Sequence, residues 1–236
     1  MKALSVQQPF AFEIMSGQKT IDARDQDSLH RGDVLVCSSA KPAFSRDDME
    51  ELEDEYGVFF LYGSALCIAR LVDVRLMRKG DEQKALMDKI DPEAYSWVFE
   101  HIRPVVPFPV KTKQGLYEVD DSLITVSPFS YDQPVVVNSG TRAREFGLDF
   151  SGWHGRTSDI QVTEDGEPRI RVLWDSISLA GIPIEVIGEC EKEGIDWTGV
   201  LLRFNEMEPS TPRDTREDVQ DAIANIMEEN PTIFEE

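Results

Sequence analysis

Ser16-Gly17-Gln18-Lys19-Thr20-Ile21-Asp22-Ala23-Arg24 is the stretch of this 236-residue chain with the densest mixture of chemical groups. Gly17 stops the helix predicted just before it. From Thr20 onward, polar and apolar residues alternate with the two-residue period of a strand. Thr20, Asp22 and Arg24 are therefore expected on one face, with Ile21 and Ala23 on the other. Ile21 and Ala23 suit a core, so the polar trio is expected to line an open surface, with Lys19 at its entrance. A cation, a hydroxyl, a carboxylate and a guanidinium within six residues suit the grip of a small polar ligand. The same pattern also fits an edge strand with a charged solvent face, and spacing alone leaves both open.

Working outward, Lys2–Val6 reads as a short strand, and Pro9 suits the first turn of a helix running to about Ser16. Downstream, Asp25–Ser28 is a turn, and Val34–Ser38 is an apolar run of strand length. A helix over 46–56 is capped by Ser45, with its acids facing water. The stretch 63–76 is apolar on both faces, as a central strand should be. A short helix is predicted over 81–89. An aromatic strand follows over 95–104, then a Pro- and Lys-containing loop, and a last strand over 116–119. Many strands, few helices and irregular spacing predict an α+β, mainly β domain: a small mixed β-barrel rather than a parallel α/β sheet.

Composition sets outer limits. Hydrophobic residues make up 41% of the chain, enough for a core. Apolar runs are too short for a membrane helix, and the first residues carry no long apolar signal segment, so no membrane partner is expected. Cys37, Cys67 and Cys190 are far apart and odd in number, which favours buried thiols in a reducing cytoplasm. The net charge is −21 and unevenly spread. Residues 1–127 hold 15 Lys and Arg against 22 Asp and Glu, whereas residues 128–236 hold 9 against 23. Neither half resembles a generic phosphate-backbone binder, although a local basic groove on the first half stays open.

The order of motifs resembles a known family. Ala3-Leu-Ser-Val-Gln-Gln-Pro-Phe is followed by the Ser16–Arg24 stretch, then by Arg31-Gly-Asp-Val-Leu-Val. Tyr95-Ser-Trp-Val-Phe-Glu-His-Ile-Arg-Pro and Lys113-Gln-Gly-Leu-Tyr-Glu-Val complete the series. Together these motifs resemble an ASCH domain of the PUA-like superfamily over roughly residues 1–125. The resemblance implies a PUA-like barrel, a cleft beside the Gly-x-Lys segment, and a link to RNA or modified nucleosides. Some ASCH proteins are amidohydrolases that deacetylate acetylated cytidine. This chain is similar to them at Lys19, Thr20 and Arg24 but has Asp22 where they carry a threonine nucleophile. An ionised Asp22 has no proton to give and is expected to hold Lys19 charged, so Lys19, Thr20 and Asp22 are weak catalytic candidates.

Other candidates are sparser. Tyr95 and Trp97 are the aromatics available to stack on a base, with one of the pair expected to be core. Lys113 in the loop suits a phosphate. The ligand-binding set is therefore Lys19, Thr20, Asp22, Arg24, Tyr95, Trp97 and Lys113. Lys19 and Arg24 are expected to be exposed charges, so Lys19→Ala and Arg24→Ala should weaken ligand binding and leave stability nearly unchanged. His30, His101 and His154 lack metal-binding spacing, His101 is expected to be structural or hydrogen-bonded, and no cofactor motif is present, so neither metal nor cofactor is expected.

Residues 128–134 read as a linker between a first domain, 1–127, and an acidic second domain, 135–236. In the latter, 152–157, 163–167 and 169–174 suit β-hairpins, with Asp165-Gly166 as a turn. A helix ending at Gly194, a strand over 200–204 and an acidic helix over 214–229 complete it. This layout resembles small SH3-like barrels. Three functions follow: binding of RNA or a nucleotide-like small molecule in the first domain, hydrolysis of an acylated nucleoside there, or recruitment of a protein partner by the acidic half.

Overall fold

In a computed structural model, residues 1–143, 148–163 and 165–234 are described. Two compact units are found, Met1–Tyr131 and Asp132–Glu236.

The first unit is built from β1 (Lys2–Val6), α1 (Phe10–Met15), β2 (Ile21–Arg24), β3 (Gly32–Ser38), α2 (Arg46–Tyr56), β4 (Ala65–Leu76), α3 (Asp81–Ala85), β5 (Tyr95–Pro104) and β6 (Leu116–Glu118). Its six strands form one mixed sheet in the order β2-β5-β4-β3-β1-β6. Only the β1–β3 pairing is parallel. The strand read as central, β4, lies inside the sheet between β3 and β5. The sheet curls into a half-barrel. Two contacts show how its ends approach: Arg24 at the end of β2 reaches the Ser5 carbonyl of β1 at 3.4 Å, and Gly115 before β6 lies beside Gln26. The concave side is filled by Leu4, Val34, Val36, Ala69, Trp97 and Phe99, while Ala3, Leu35, Ile68 and Tyr117 build the other side. This is the alternation that the strands' two-residue period requires.

Helix α2 begins as its sequence dictates. The Ser45 hydroxyl accepts from the Asp48 amide, Asp48 returns the bond to the Ser45 amide, and Gly57 closes the helix with φ +62°. Helix α3 is shorter than its sequence predicts. Leu86 takes a left-handed conformation, φ 51°, and its amide turns back to the Gln83 carbonyl, so the helix stops at Ala85 rather than Lys89. The boundary between the two units falls within 128–134, a stretch with local structure of its own. Phe129 is buried, Ser127 is tied to it by hydrogen bonds, Tyr131 stands edge-on to Phe12, and Pro134 already opens a strand.

The second unit comprises β7 (Pro134–Val137), β8 (Arg142–Ala143), β9 (Leu148–Asp149), β10 (His154–Val162), β11 (Pro168–Trp174), α4 (Ser176–Leu179), α5 (Ile184–Glu193), β12 (Gly199–Leu202), β13 (Met207–Pro209), α6 (Arg216–Glu229) and α7 (Pro231–Phe234). Five strands pair antiparallel in the order β12-β11-β10-β7-β13, and β8 pairs with β9. Among the described residues no pairing joins β12 to β13, so in hydrogen bonding this is an open sheet. Gly166 has the positive φ expected of the turn between β10 and β11; Glu164, in the same predicted hairpin, lies outside the described residues. Gly155 and Gly199 are small for a reason, since a Cβ on either would fall within 2.6 Å of a β11 backbone oxygen. A short segment after β13 is held to the sheet by Arg213, which grips the buried Asp175 carboxylate with two bonds of 2.6 and 2.7 Å.

Candidate functional site

The alternation expected for β2 holds. Ile21 and Ala23 pack with Met77, Ala85 and Ala94, and Asp22 and Arg24 take the opposite face, paired in register with Trp97 and Tyr95. That face is not an open surface. The curl of the sheet turns it inward, so Asp22 is buried and Arg24 half-buried. Arg24 donates from Nη1 to Asp22 Oδ2 at 3.0 Å, and its guanidinium lies 5.4 Å from the Trp97 ring.

Lys19 is the larger surprise. Expected at an entrance, it is only 4% exposed. Its ammonium donates to the Ala85 carbonyl at the end of α3 and sits 5.0 Å from the Phe10 ring. Burial lowers its pKa, and the charges of Asp22 and Glu13 only partly oppose this. Asp22 acts on Lys19 in the direction expected from sequence, favouring its charged form, but desolvation outweighs it and the net shift is downward.

Glu13 was not among the residues singled out from sequence. It stands in α1, Phe-Ala-Phe-Glu-Ile-Met, and is 5% exposed. Its Oε1 accepts from the Tyr56 hydroxyl of α2 at 3.3 Å, whereas Oε2 is buried without a hydrogen-bond partner. Burial raises the Glu13 pKa against the opposing pull of Lys19 and Tyr56. The Tyr56 phenol is pushed up to about 12, by burial first and by the Glu13 charge second. A signal for this residue was present: one acid in an otherwise apolar six-residue helix cannot choose a solvent face.

The remaining candidates divide. Thr20 is half-buried and held by its backbone, its amide donating to Lys84 and its carbonyl accepting from Phe99. Tyr95 and Trp97 are two apart in one strand and so share a face; both pack on the concave core. Trp97, 3% exposed with Nε1 donating to the Gln26 carbonyl at 2.9 Å, is no platform for a base. Tyr95 keeps part of its ring accessible. Lys113 is exposed, in the loop that Gly115 brings against the turn following β2. The structure therefore gathers Glu13, Lys19, Asp22, Arg24 and Trp97 and leaves Lys113 at the rim. His101, expected to be structural, instead projects into solvent at a kink with φ 50°, and Glu100 is 4.0 Å from its ring. Among the described residues, no cluster of three His, Cys, Asp or Glu is arranged to hold a metal, and no helix is long and apolar enough to cross a membrane.

No protein-family model matches the chain, and no curated protein matches it. Among solved structures it is similar to the crystal structure of ASCH from Zymomonas mobilis, at 14% identity with a TM-score of 0.37, covering 51% of this chain and 88% of that one. It is also similar to a tyrosine-to-phenylalanine mutant of the same ASCH protein, at 13% identity with a TM-score of 0.33, over 52% of this chain and 98% of that one. At those levels the likeness extends to neither residues nor activity.

Proposed function

We propose that the first unit binds RNA or a nucleotide-like ligand at the face formed by α1, β2 and the start of β5. One observation carries this reading: a buried, incompletely paired acid beside a buried lysine, Glu13 with Lys19. A carboxyl oxygen buried without a partner costs about 1–3 kcal/mol, a cost that a purely structural site would be expected to shed. A nucleobase edge offers adjacent donors and acceptors of the kind that would complete it. Tyr56 is the side chain whose movement would expose Glu13, since its 3.3 Å bond is long for a hydroxyl donor. Arg24 and Lys113 would supply cations to a phosphate, and Tyr95 an accessible ring.

Fluorescence titration of the full chain with nucleosides, nucleoside monophosphates and a short single-stranded RNA tests this. The expected result is saturable binding that Glu13→Gln weakens at least about tenfold, the loss of one charge-assisted contact. Binding unchanged in Glu13→Gln and Arg24→Ala would remove this face from consideration.

A second reading, hydrolysis of an acylated nucleoside, gains from one observation. Burial lowers the Lys19 pKa, which is the direction a lysine base requires.

A further inference from the structure

A second concave surface lies on the first unit, walled by the helix that also carries Tyr56. It is a depression of about 390 Å³ beside α2, with Ala40, Pro42, Met49 and Tyr62 supplying its apolar walls and Arg46, Glu50 and Glu53 the charged part of its lining. The walls are fixed. Gln7 Nε2 donates to the Pro42 carbonyl at 3.0 Å, the Ala43 amide donates to the Gln8 carbonyl at 2.9 Å, and Glu53 caps the Phe60 amide at 2.6 Å. Two large apolar side chains flanking α2 in the chain are exposed as well. Phe59, from the loop that follows α2, is 68% exposed, and Phe44, just before α2, is 45% exposed.

The charges select the occupant. Helix α2 carries seven acids and one base, and that base, Arg46, is already paired with Glu50 at 2.7 Å. Eleven helical residues span about 16 Å, so the acids line a path longer than any one small cation. Nucleic acid is repelled by this helix, and a second copy of a chain with net charge −21 is disfavoured for the same reason. We propose that this groove docks a basic peptide segment of a protein partner, with one aliphatic or aromatic residue seated against Met49 and Tyr62 and flanking Lys or Arg along α2. A short apolar anchor in a pocket, ringed by complementary charge, is the usual economy of such recognition.

The test uses the full chain and three synthetic heptapeptides: Lys and Arg around a central Leu, the same peptide with Gly at the centre, and the Leu peptide with every cation replaced by Glu. Nuclear magnetic resonance titration at 0.15 M salt should show the Leu peptide binding at least about fivefold more tightly than the Gly peptide, the return on burying part of one side chain. The acidic peptide should not bind, and shifts should concentrate in residues 40–62. Ala40→Trp, which fills the depression from an exposed position, should abolish the Leu–Gly difference, and Glu51→Lys should weaken both basic peptides. Tyr62→Ala gives a second route to the anchor loss. Equal binding of the two basic peptides, shifts lying elsewhere, tighter binding of oligouridine than of the Leu peptide, or self-association relieved by Ala40→Trp would each overturn the proposal.

Discussion

Two buried acids in the first unit, Asp81 and Glu13, expose similarly little surface and behave in opposite ways. Asp81 is 4% exposed and fully met. Arg75 grips it with two bonds of 2.5 and 2.8 Å, the Arg78 amide donates at 3.0 Å, and the Ser96 hydroxyl donates at 2.7 Å. The Arg75 bonds hold its carboxyl far below the usual range, against the opposing effect of burial. Glu13 has a single long bond from Tyr56 and one unmet oxygen, and burial moves its pKa the other way. Glu13 is more deeply enclosed by the chain and has fewer partners, and the two differences act together. A fully satisfied acid staples β4, α3 and β5 together, whereas an unsatisfied one is a cost that needs a reason.

The largest effect that would test this contrast is the loss of the staple. Asp81→Ala strands Arg75 and frees Ser96 and the Arg78 amide. Because Arg75 reaches solvent, the expected cost is about 3 kcal/mol, at the lower end of what removing one partner of a buried pair brings. Urea unfolding followed by tryptophan fluorescence would read it. A loss below about 1 kcal/mol would mean that Asp81 is no better met than Glu13.

Next comes Lys19. Its sequence position implies an exposed cation whose removal leaves stability alone, but its burial reverses that expectation. Lys19→Ala should cost about 2 kcal/mol, from the lost stem and the unmet Ala85 carbonyl. Lys19→Met, which keeps the stem and removes a desolvated charge, should cost clearly less. Equal losses in thermal melts of the two variants would assign the whole effect to the ammonium–carbonyl bond.

Much of this arrangement was legible in the chain. Strand alternation placed Ile21 and Ala23 against the core, the Ser45 cap set the start of α2, and an apolar run with no polar face set β4 inside the sheet. The depth of Asp22, Lys19 and Trp97 was not legible. It depends on the curl that brings β2 toward β1 and β6, and those contacts join residues 19 to 89 positions apart, as in Arg24–Ser5 and Gln26–Gly115. Glu13 falls between the two cases. Its apolar neighbours announce burial, but its partner Tyr56 is 43 residues away in a helix whose sequence shows only a charged surface.

A smaller effect separates the two acids by pH. Asp81 has a depressed folded pKa, so its contribution is present above the unfolded value and is lost as pH falls through the folded one. Glu13 has a raised folded pKa, so its neutral form is the one the fold tolerates; its contribution is present below the unfolded value and is lost as pH rises through the folded one. Glu13→Gln should therefore match wild type near pH 4 and gain on it by about 1 kcal/mol or less toward neutral pH. Asp81→Asn should trail wild type at neutral pH and close the gap only below pH 4. Parallel pH profiles for the two variants would erase the contrast.

The smallest expected effect is a null one, and it bears on what the Glu13–Lys19 pair is for. Hydrolysis of acetylated cytidine needs a hydroxyl nucleophile beside a group able to take its proton. Lys19, with its pKa lowered, satisfies the second condition better than its sequence neighbourhood implied. The first condition is poorly met. Asp22 is a carboxylate rather than a hydroxyl and is tied to Arg24 at 3.0 Å, and the Thr20 backbone is held by bonds to Lys84 and Phe99 just ahead of β2. Wild-type protein incubated with acetylated cytidine should therefore release no cytidine above the uncatalysed background by chromatography, while the same nucleoside can still quench or shift the protein's fluorescence as a ligand. Turnover that vanishes in Thr20→Ala and in Lys19→Met, with both variants folded, would show that Lys19 serves as a base and Thr20 as its nucleophile. The unmet Glu13 oxygen would then belong to a reaction rather than to a binding contact.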